Sequence, residues 1–290
     1  MVLVPPGEAS IGSPEYHLDS LPNQQHFDRV WFEDEAPQHS QPIPPFWIDR
    51  HPVTNAQFAE FIAATNYVTA AERRGFGLVY GRRYWQKEAE ACWQRPGGST
   101  DSIADRMDHP VVHVDHDDAS CYAKWARKRL PTEPEWEYAA HGPRWSCWPW
   151  GDTWEPHRAN TAEFWAGVAV RDSDDWRAWW KHHFHLHGTR PGTSKVGDFS
   201  PLGDSRYGLA DMAGNVAEWT ASLYEPYASD YPWDPGYYAA MKQAFLVVRG
   251  GSWKSFRFQV RTSERIACDS SYSSFDVGFR CAANVEPAAV

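Results

Sequence analysis

Glycine and proline recur so often along this chain that few of its segments can form long helices or long strands. The sequence contains 20 glycines and 22 prolines among its 290 residues, together with 17 tryptophans. Glycine and proline punctuate regular structure, and each indole can bury a large apolar area between irregular segments. We therefore expect many turns and long loops that are held together by packed tryptophans.

Charge and cysteine content narrow the possible partners. Acidic residues outnumber basic ones by 38 to 28, and a formal charge of −10 does not draw a chain to nucleic acid or to an anionic membrane. No apolar run is long enough for a membrane-spanning helix, and residues 1–7 do not resemble a signal peptide. Five widely spaced cysteines without a CxxC motif do not indicate a disulfide framework. These features predict a soluble, cytoplasmic protein without nucleic-acid or membrane partners, although a removed leader would leave no trace.

Local patterns predict an α+β fold in one domain over residues 1–290. Strand signals occur at residues 2–11, 46–49, 245–249 and 277–281. No composition shift or internal repeat divides the chain. Helices are expected early and strands late, with a large share of coil between them.

Capping boxes locate two of the helices. Thr54 with Gln57 predicts a helix over about 54–65, and Thr132 with Glu135 predicts a short helix through Tyr138. Apolar spacing predicts another helix over about 117–128. In contrast, residues 75–108 are expected to form a long loop with at most one short element, and no long helix is expected after residue 140.

Short motifs in a fixed order reveal a family resemblance. They lie at residues 109–114, 128–139, 148–151, 214–219, 249–253 and 278–281. In these motifs the chain resembles the formylglycine-generating enzyme, or sulfatase-modifying factor, family over nearly its whole length. The resemblance implies the family's version of the C-type-lectin-like fold, with little regular secondary structure and with loops organised by tryptophans and bound calcium. The loop at 93–110 resembles the enzyme itself, which favours an enzyme.

The resemblance also indicates which chemistry this chain lacks. The family's oxidase holds copper(I) with two cysteine thiolates after the RGGS motif, and Ser255 and Val260 stand at those positions. A hydroxyl and an isopropyl group cannot replace thiolates on a soft ion. We therefore expect no formylglycine generation by the family's mechanism. Ser252 matches the family's active-site serine, so Ser252 and Ser255 are catalytic candidates by position alone.

Calcium is the cofactor that the resemblance implies most directly. The residues that match one set of family ligands are Asp211, Gly214, Val216 and Glu218. Two carboxylates with turn carbonyls between them suit an ion that needs six or more oxygens. The resemblance implies a second site at Asn160 and the carbonyl of Thr161, but the later aspartate of that site falls on Gly188, which removes charge from it.

A segment at about 168–188 has no counterpart in the family's pattern. If it is extended, His183, His185 and His187 point to one side, because strand side chains alternate. Three imidazoles on one edge could bind copper(II), iron(II), nickel or zinc. The alternative is a solvated histidine-rich loop.

Two functions follow from these patterns. The first is a non-cysteine oxidative tailoring enzyme, an oxidoreductase that acts on a peptide or peptide-derived small molecule and uses copper or iron at the histidines. Family members without the cysteines are associated with oxidation in siderophore chromophore maturation. The second is a non-catalytic ligand-binding module on the same lectin-like scaffold. For either function, aromatic side chains that could contact the ligand, or simply fill the core, are Trp93, Trp179 and Trp180.

Overall fold

Short helices and strands joined by long connections make up the computed structural model, which describes residues 1–24, 28–81, 84–183, 192–228 and 245–286. The strands are β1 (Val2–Val4), β2 (Gly7–Ile11), β3 (His39–Ile43), β4 (Phe46–Ile48), β5 (Phe76–Tyr80), β6 (Trp85–Ala89), β7 (Ala217–Leu223), β8 (Phe245–Arg249), β9 (Arg265–Asp269), β10 (Val277–Gly278) and β11 (Ala282–Asn284). The α-helices are α1 (Glu15–Gln24), α2 (Asn55–Thr65), α3 (Ala70–Arg74), α4 (His116–Trp125), α5 (Glu133–His141), α6 (Ala162–Ala166) and α7 (Ser173–His183). Among these residues, no helix is both long enough and apolar enough to cross a bilayer.

Two sheets connect distant parts of the chain. The larger has the strand order β10-β7-β8-β9, in which β7, β8 and β9 are antiparallel and β10 runs parallel to β7. The smaller has the order β1-β4-β11, so that the first strand and the last both pair with β4. Two further antiparallel pairs, β2 with β3 and β5 with β6, lie outside these sheets.

Aromatic side chains fill the main core between the larger sheet and helices α2 and α4. Phe58 of α2 stacks on Tyr122 of α4 with ring centroids 5.8 Å apart, and Trp219 of β7 belongs to the same buried cluster. A second cluster contains Trp136 of α5 and joins that helix to the smaller sheet. Both of these tryptophans are completely buried, as expected for a chain whose irregular segments rely on indoles for apolar contact.

Buried arginines form a polar framework inside the fold. The four pairs are Arg249 with Glu137, Arg261 with Glu35, Arg265 with Glu133, and Arg280 with Glu218. Each guanidinium is almost fully buried, and such a charge is tolerated only when it is paired and hydrogen-bonded. All four arginines come from the last fifth of the chain, and they join that part to α5, β7 and the N-terminal region.

The structure confirms much of the predicted secondary structure. Helices α2, α4 and α5 lie at the expected positions, and both predicted capping boxes form, with Thr54 accepting from the Gln57 amide and Thr132 from the Glu135 amide. The strand predicted over 2–11 is present as two strands, β1 and β2, and those near 46 and 245 are found as β4 and β8. The α+β class is therefore confirmed.

Three secondary-structure predictions were wrong. The loop expected over 75–108 contains the hairpin β5–β6, and the strand expected over 277–281 is reduced to β10. The expectation of no long helix after residue 140 fails at α7, which is 11 residues long. Its apolar face comes from Trp176, Trp179 and Trp180, whose spacing of three and four residues is helical. The same helix ends at His183, so the condition that the histidine segment is extended is not met at its first residue, and residues 184–187 lie outside the described residues.

Candidate functional site

A cavity of about 870 Å³ lies between the β5–β6 hairpin and the loop at residues 96–106. Trp253, from the motif at 249–253, lines this cavity together with Trp180 of α7 and Phe275. Clefts of this volume are typical of small-molecule sites. It is therefore the candidate functional site of the described part of the chain.

The aromatic side chains of the cavity are fixed by contacts with one another. The ring of Trp253 lies 5.1 Å from that of Phe275 and 5.8 Å from that of Trp180. Tyr80 packs edge-on against Trp180 at 5.6 Å, and the Trp180 indole N–H donates to the carbonyl of Gly81 at 2.7 Å. The aromatic lining is thus held in place by contacts within the protein.

Ser252 lies directly beside this lining and is held by a buried carboxylate. Its hydroxyl donates to Asp276 Oδ2 at 2.9 Å, while the Ser274 hydroxyl donates to Asp276 Oδ1 at 2.6 Å. Lys254 Nζ lies 3.1 Å from the same Oδ2 atom and balances the charge. Both Ser252 and Asp276 are buried, and they are chain neighbours of two cavity-lining aromatic residues. The arrangement fixes the hydroxyl of Ser252 but does not expose it.

Ser255 and Val260, the residues that the resemblance places at the family's thiolate positions, have other partners in the structure. Ser255 Oγ accepts the backbone N–H of Ser252 at 3.1 Å, and Val260 is completely buried in an apolar cluster with Cys147. All five cysteines are free thiols, and burial raises the pKa of the Cys268 thiol to about 12. These residues do not fit copper(I), which requires ionised sulfur ligands.

The four residues proposed as calcium ligands share one turn, but their oxygens differ in availability. The carboxylate of Glu218 accepts two N–H groups of Arg280 at 2.7 Å and the indole N–H of Trp136 at 2.8 Å. Asp211 Oδ2 accepts the Gly197 amide at 2.7 Å, and burial raises the pKa of this carboxyl to about 6. A bound cation would compensate the charge of the buried Asp211 carboxylate. Arg280 already neutralises Glu218. Of the two carboxylates, Asp211 is therefore the one that fits a calcium ligand.

We expect calcium to raise the melting temperature of the protein by roughly 5 °C through this site. Asp211→Asn should remove that calcium dependence, because it removes the charge while preserving a hydrogen-bond acceptor for Gly197. Glu218→Gln is the matched comparison and should lower the melting temperature equally with calcium and with a chelator, because it weakens the buried pair with Arg280. Thermal unfolding of the three proteins in both conditions is the measurement. Equal melting temperatures of the unmodified protein in the two conditions would rule out the site.

The residues of the second implied calcium site, Asn160 and Thr161, form hydrogen bonds with other parts of the protein. Asn160 Nδ2 donates to the carbonyl of Gly192 at 2.9 Å, and its Oδ1 accepts the Trp165 indole N–H at 2.7 Å. The Thr161 carbonyl accepts the Trp165 backbone N–H within α6. Gly188 lies outside the described residues. These bonds anchor the chain at Gly192, which lines the cavity.

The remaining candidates from the sequence are three tryptophans and three histidines, and they lie in the cavity wall, in the core or outside the described residues. Of the three tryptophans, only Trp180 lines the cavity. Trp179 is buried beside it, and Trp93 lies in the main core, 5.4 Å from Phe58, so neither belongs to the cavity lining. The side chain of His183 and all of His185 and His187 lie outside the described residues. Elsewhere in the described chain, no group of three or more histidine, cysteine or acidic side chains is placed to hold a metal ion.

Sequence reasoning missed the polar residues of the cavity. Glu88 of β6 and Asp101, Asp105 and Arg106 of the facing loop all line it. Residues 85–89 did contain a signal for a strand. If they form one, Gln86 and Glu88 lie on the same face of it, because strand side chains alternate. The predicted long loop concealed that alternation.

Comparisons with known proteins agree with this architecture. The model of the sulfatase-modifying factor enzyme 1-like domain matches residues 1–285. The formylglycine-generating enzyme of Mycobacterium tuberculosis is 35% identical over 290 residues, which cover 88% of this chain and 92% of that protein. The inactive C-alpha-formylglycine-generating enzyme 2 of Mus musculus is 33% identical over 274 residues, covering 87% of this chain and 79% of that protein.

Solved structures show the same fold at lower sequence identity. PvdO from Pseudomonas aeruginosa aligns with a TM-score of 0.62 and 24% identity, covering 98% of this chain and 93% of PvdO. CarF aligns with a TM-score of 0.54 and 19% identity, covering 98% of both chains.

Proposed function

Because the chain belongs to the sulfatase-modifying factor enzyme 1-like family, we propose that it binds a peptide or peptide-derived small molecule and oxidises it without a thiol pair. The observation that carries this proposal is the cavity beside Ser252, whose aromatic lining includes Trp180 and Trp253. Fixed aromatic side chains with a few polar groups suit recognition of a compact organic ligand. A volume of about 870 Å³ accommodates a few amino-acid residues.

The absence of thiolates separates this proposal from the activity named for the relatives. In this proposal Ser255 and Val260 supply no ionisable sulfur, so the chain does not use the copper(I) chemistry that the family resemblance implies. Ser252 and Asp276 retain a fixed hydroxyl and carboxylate next to the cavity. In the proposal this hydrogen bond positions their chain neighbours Trp253 and Phe275, which line the cavity.

An oxidation needs an electron acceptor, and the histidine-rich segment is the candidate to hold one. Trp180 precedes this segment, and Gly192 and Thr193 follow it, and all three line the cavity. Described residues on both sides of the segment therefore belong to the cavity wall. We propose His183, His185 and His187 as ligands of copper or iron, which when bound would pass electrons from the ligand to dioxygen.

A non-catalytic ligand-binding module is the second candidate. It is supported by the 33% identity to a relative that is named as inactive. The two candidates share the cavity and differ only in whether a redox centre is present, so metal content and oxygen uptake distinguish them.

Protein purified without a histidine tag should contain about one equivalent of copper or iron. Replacing both His183 and His185 by alanine should lower this content below about a tenth of an equivalent, because the remaining imidazole cannot hold the ion alone. Metal analysis and oxygen uptake with candidate peptides are the measurements. Cys121→Ser is the control, because Cys121 is an exposed thiol far along the chain from the segment.

Two results would contradict the oxidative proposal. The unmodified protein could lack transition metal and take up no oxygen, which would favour the binding module. Alternatively, the double histidine variant could retain its metal, which would place the ion elsewhere in the chain.

A further inference from the structure

Charged side chains of the cavity are predominantly acidic. Three carboxylates and one guanidinium line it, from Glu88, Asp101, Asp105 and Arg106. Arg106 does not neutralise the whole set, because Nη2 donates to Asp101 and to the carbonyl of Ser102 within its own loop. Asp101 also accepts the backbone amides of residues 97 and 102. Arg106 Nε also lies 3.6 Å from Asp105 Oδ1. One guanidinium is thus shared by two carboxylates, and with Glu88 in addition the cavity remains negative.

Glu88 is the carboxylate that is best placed to meet a ligand. The alternation of β6 directs Gln86 and Glu88 to the cavity and Lys87 to the other face, where Nζ lies 4.6 Å from the Phe76 ring centroid. Within the described chain, Glu88 receives no side-chain hydrogen bond or ion pair. The side chain lines the cavity and is partly exposed to solvent, so a cation in the cavity can reach it.

The facing loop leaves space for this carboxylate. Gly98 has φ +94°, and a Cβ at this position would lie only 2.9 Å from Glu88 Oε1. Among the basic groups that the structure describes, Lys254 does not supply a partner, because it is paired with Asp276. His113, behind the β5 strand, stays neutral because burial lowers its pKa to about 4. The charge of Glu88 is thus left for a ligand to balance.

We infer that the cavity selects a ligand with an ammonium or guanidinium group attached to an apolar or aromatic portion. Glu88 binds the cation, and the aromatic residues Tyr80, Trp180 and Trp253 contact the apolar portion. This inference rests on the proposed function in one respect, which is that the same cavity is the ligand site. It adds the charge of the ligand, which neither the fold nor the missing thiolates determine.

Three probes of similar shape test the charge preference. They are phenethylamine, 2-phenylethanol and 3-phenylpropionate. Each has a phenyl ring and a two-carbon chain, which ends in a positive, a neutral and a negative group, respectively. Titration calorimetry and quenching of tryptophan fluorescence give their affinities. We expect phenethylamine to bind about tenfold more tightly than the alcohol, as for a charge-assisted hydrogen bond, and the carboxylate to bind least.

Glu88→Gln should lower the affinity for phenethylamine about tenfold and leave that for 2-phenylethanol unchanged. The matched control is Glu60→Gln, because Glu60 is an exposed residue of α2 outside the cavity lining. If the Glu88 variant fails to fold, the salt dependence of the unmodified protein is the alternative measurement. Added salt should weaken binding of the amine and not of the alcohol.

The outcomes separate the charge preference from the site itself. Equal affinity for the amine and the alcohol, or an unaltered preference in Glu88→Gln, would overturn the inference while the cavity stays a ligand site. Failure of all three probes to bind would overturn both the inference and the cavity as the site of the proposed function.

Discussion

Replacing Arg261 by methionine should lower the free energy of unfolding by about 3–5 kcal/mol, the usual effect of removing one partner from a buried ion pair. Arg261 Nη1 and Nη2 donate to Glu35 at 2.6 and 2.5 Å, and both side chains are buried. Burial alone would raise the pKa of Glu35, but the guanidinium of Arg261 holds it below the ordinary value. Without Arg261, the carboxylate is a buried charge that has lost its partner.

Chemical denaturation at several pH values is the measurement for this prediction. In the unmodified protein, a lowered pKa of Glu35 contributes stability above the pKa of the unfolded chain, and that contribution disappears on acidification. The variant lacks this contribution, so the difference between the two proteins should shrink as the pH falls. Arg171→Met is the control, because Arg171 is exposed and its pair with Asp175 lies at the surface. A loss below about 1 kcal/mol at neutral pH, as for a surface pair, would contradict the proposed framework.

The double substitution Ser255→Cys and Val260→Cys should create a copper(I) site with about one equivalent of bound metal. Both side chains already border the same turn, since Ser255 Oγ accepts the Ser252 amide and a Cβ on Gly251 would lie 2.8 Å from Val260 Cγ1. The two substitutions supply soft ligands with little change in side-chain volume. Competition with a copper(I) chelator measures the affinity.

Each single cysteine variant is a control for the double variant and should bind copper(I) much more weakly, because one thiolate does not enclose the ion. The unmodified protein should show no copper(I) binding at this turn. If the double variant binds no more copper than the single variants, the two positions do not converge on one ion, and the assignment of the family's thiolate positions to Ser255 and Val260 is wrong.

Local signals predicted helices α2 and α5 because the N-terminus of each helix carries a capping box. Thr54 and Thr132 each accept the backbone amide three residues ahead, and this interaction depends only on neighbouring residues. Helix α7 was missed for the opposite reason. Its tryptophans have helical spacing, but they pack against Trp253 and Tyr80, which are distant in sequence.

The buried arginine pairs and the acidic cavity could not be predicted from neighbouring residues. Arg261 and Glu35 are 226 positions apart, and no local pattern distinguishes a buried arginine from an exposed one. Glu88 lies in a strand whose residues are mostly exposed, so it resembles any surface carboxylate until the loop at 96–106 is placed against it. Motif matching located Ser252 and the missing thiolates, whereas Asp276, which holds Ser252, appeared only in three dimensions.

Trp180 and Gly192 both line the cavity, and this placement has a consequence for variation of the sequence between them. Insertions, deletions or replacements between these two points can alter ligand choice without disturbing the paired arginines or the central sheets. Natural variants and laboratory libraries confined to this interval should therefore diversify specificity while preserving the scaffold.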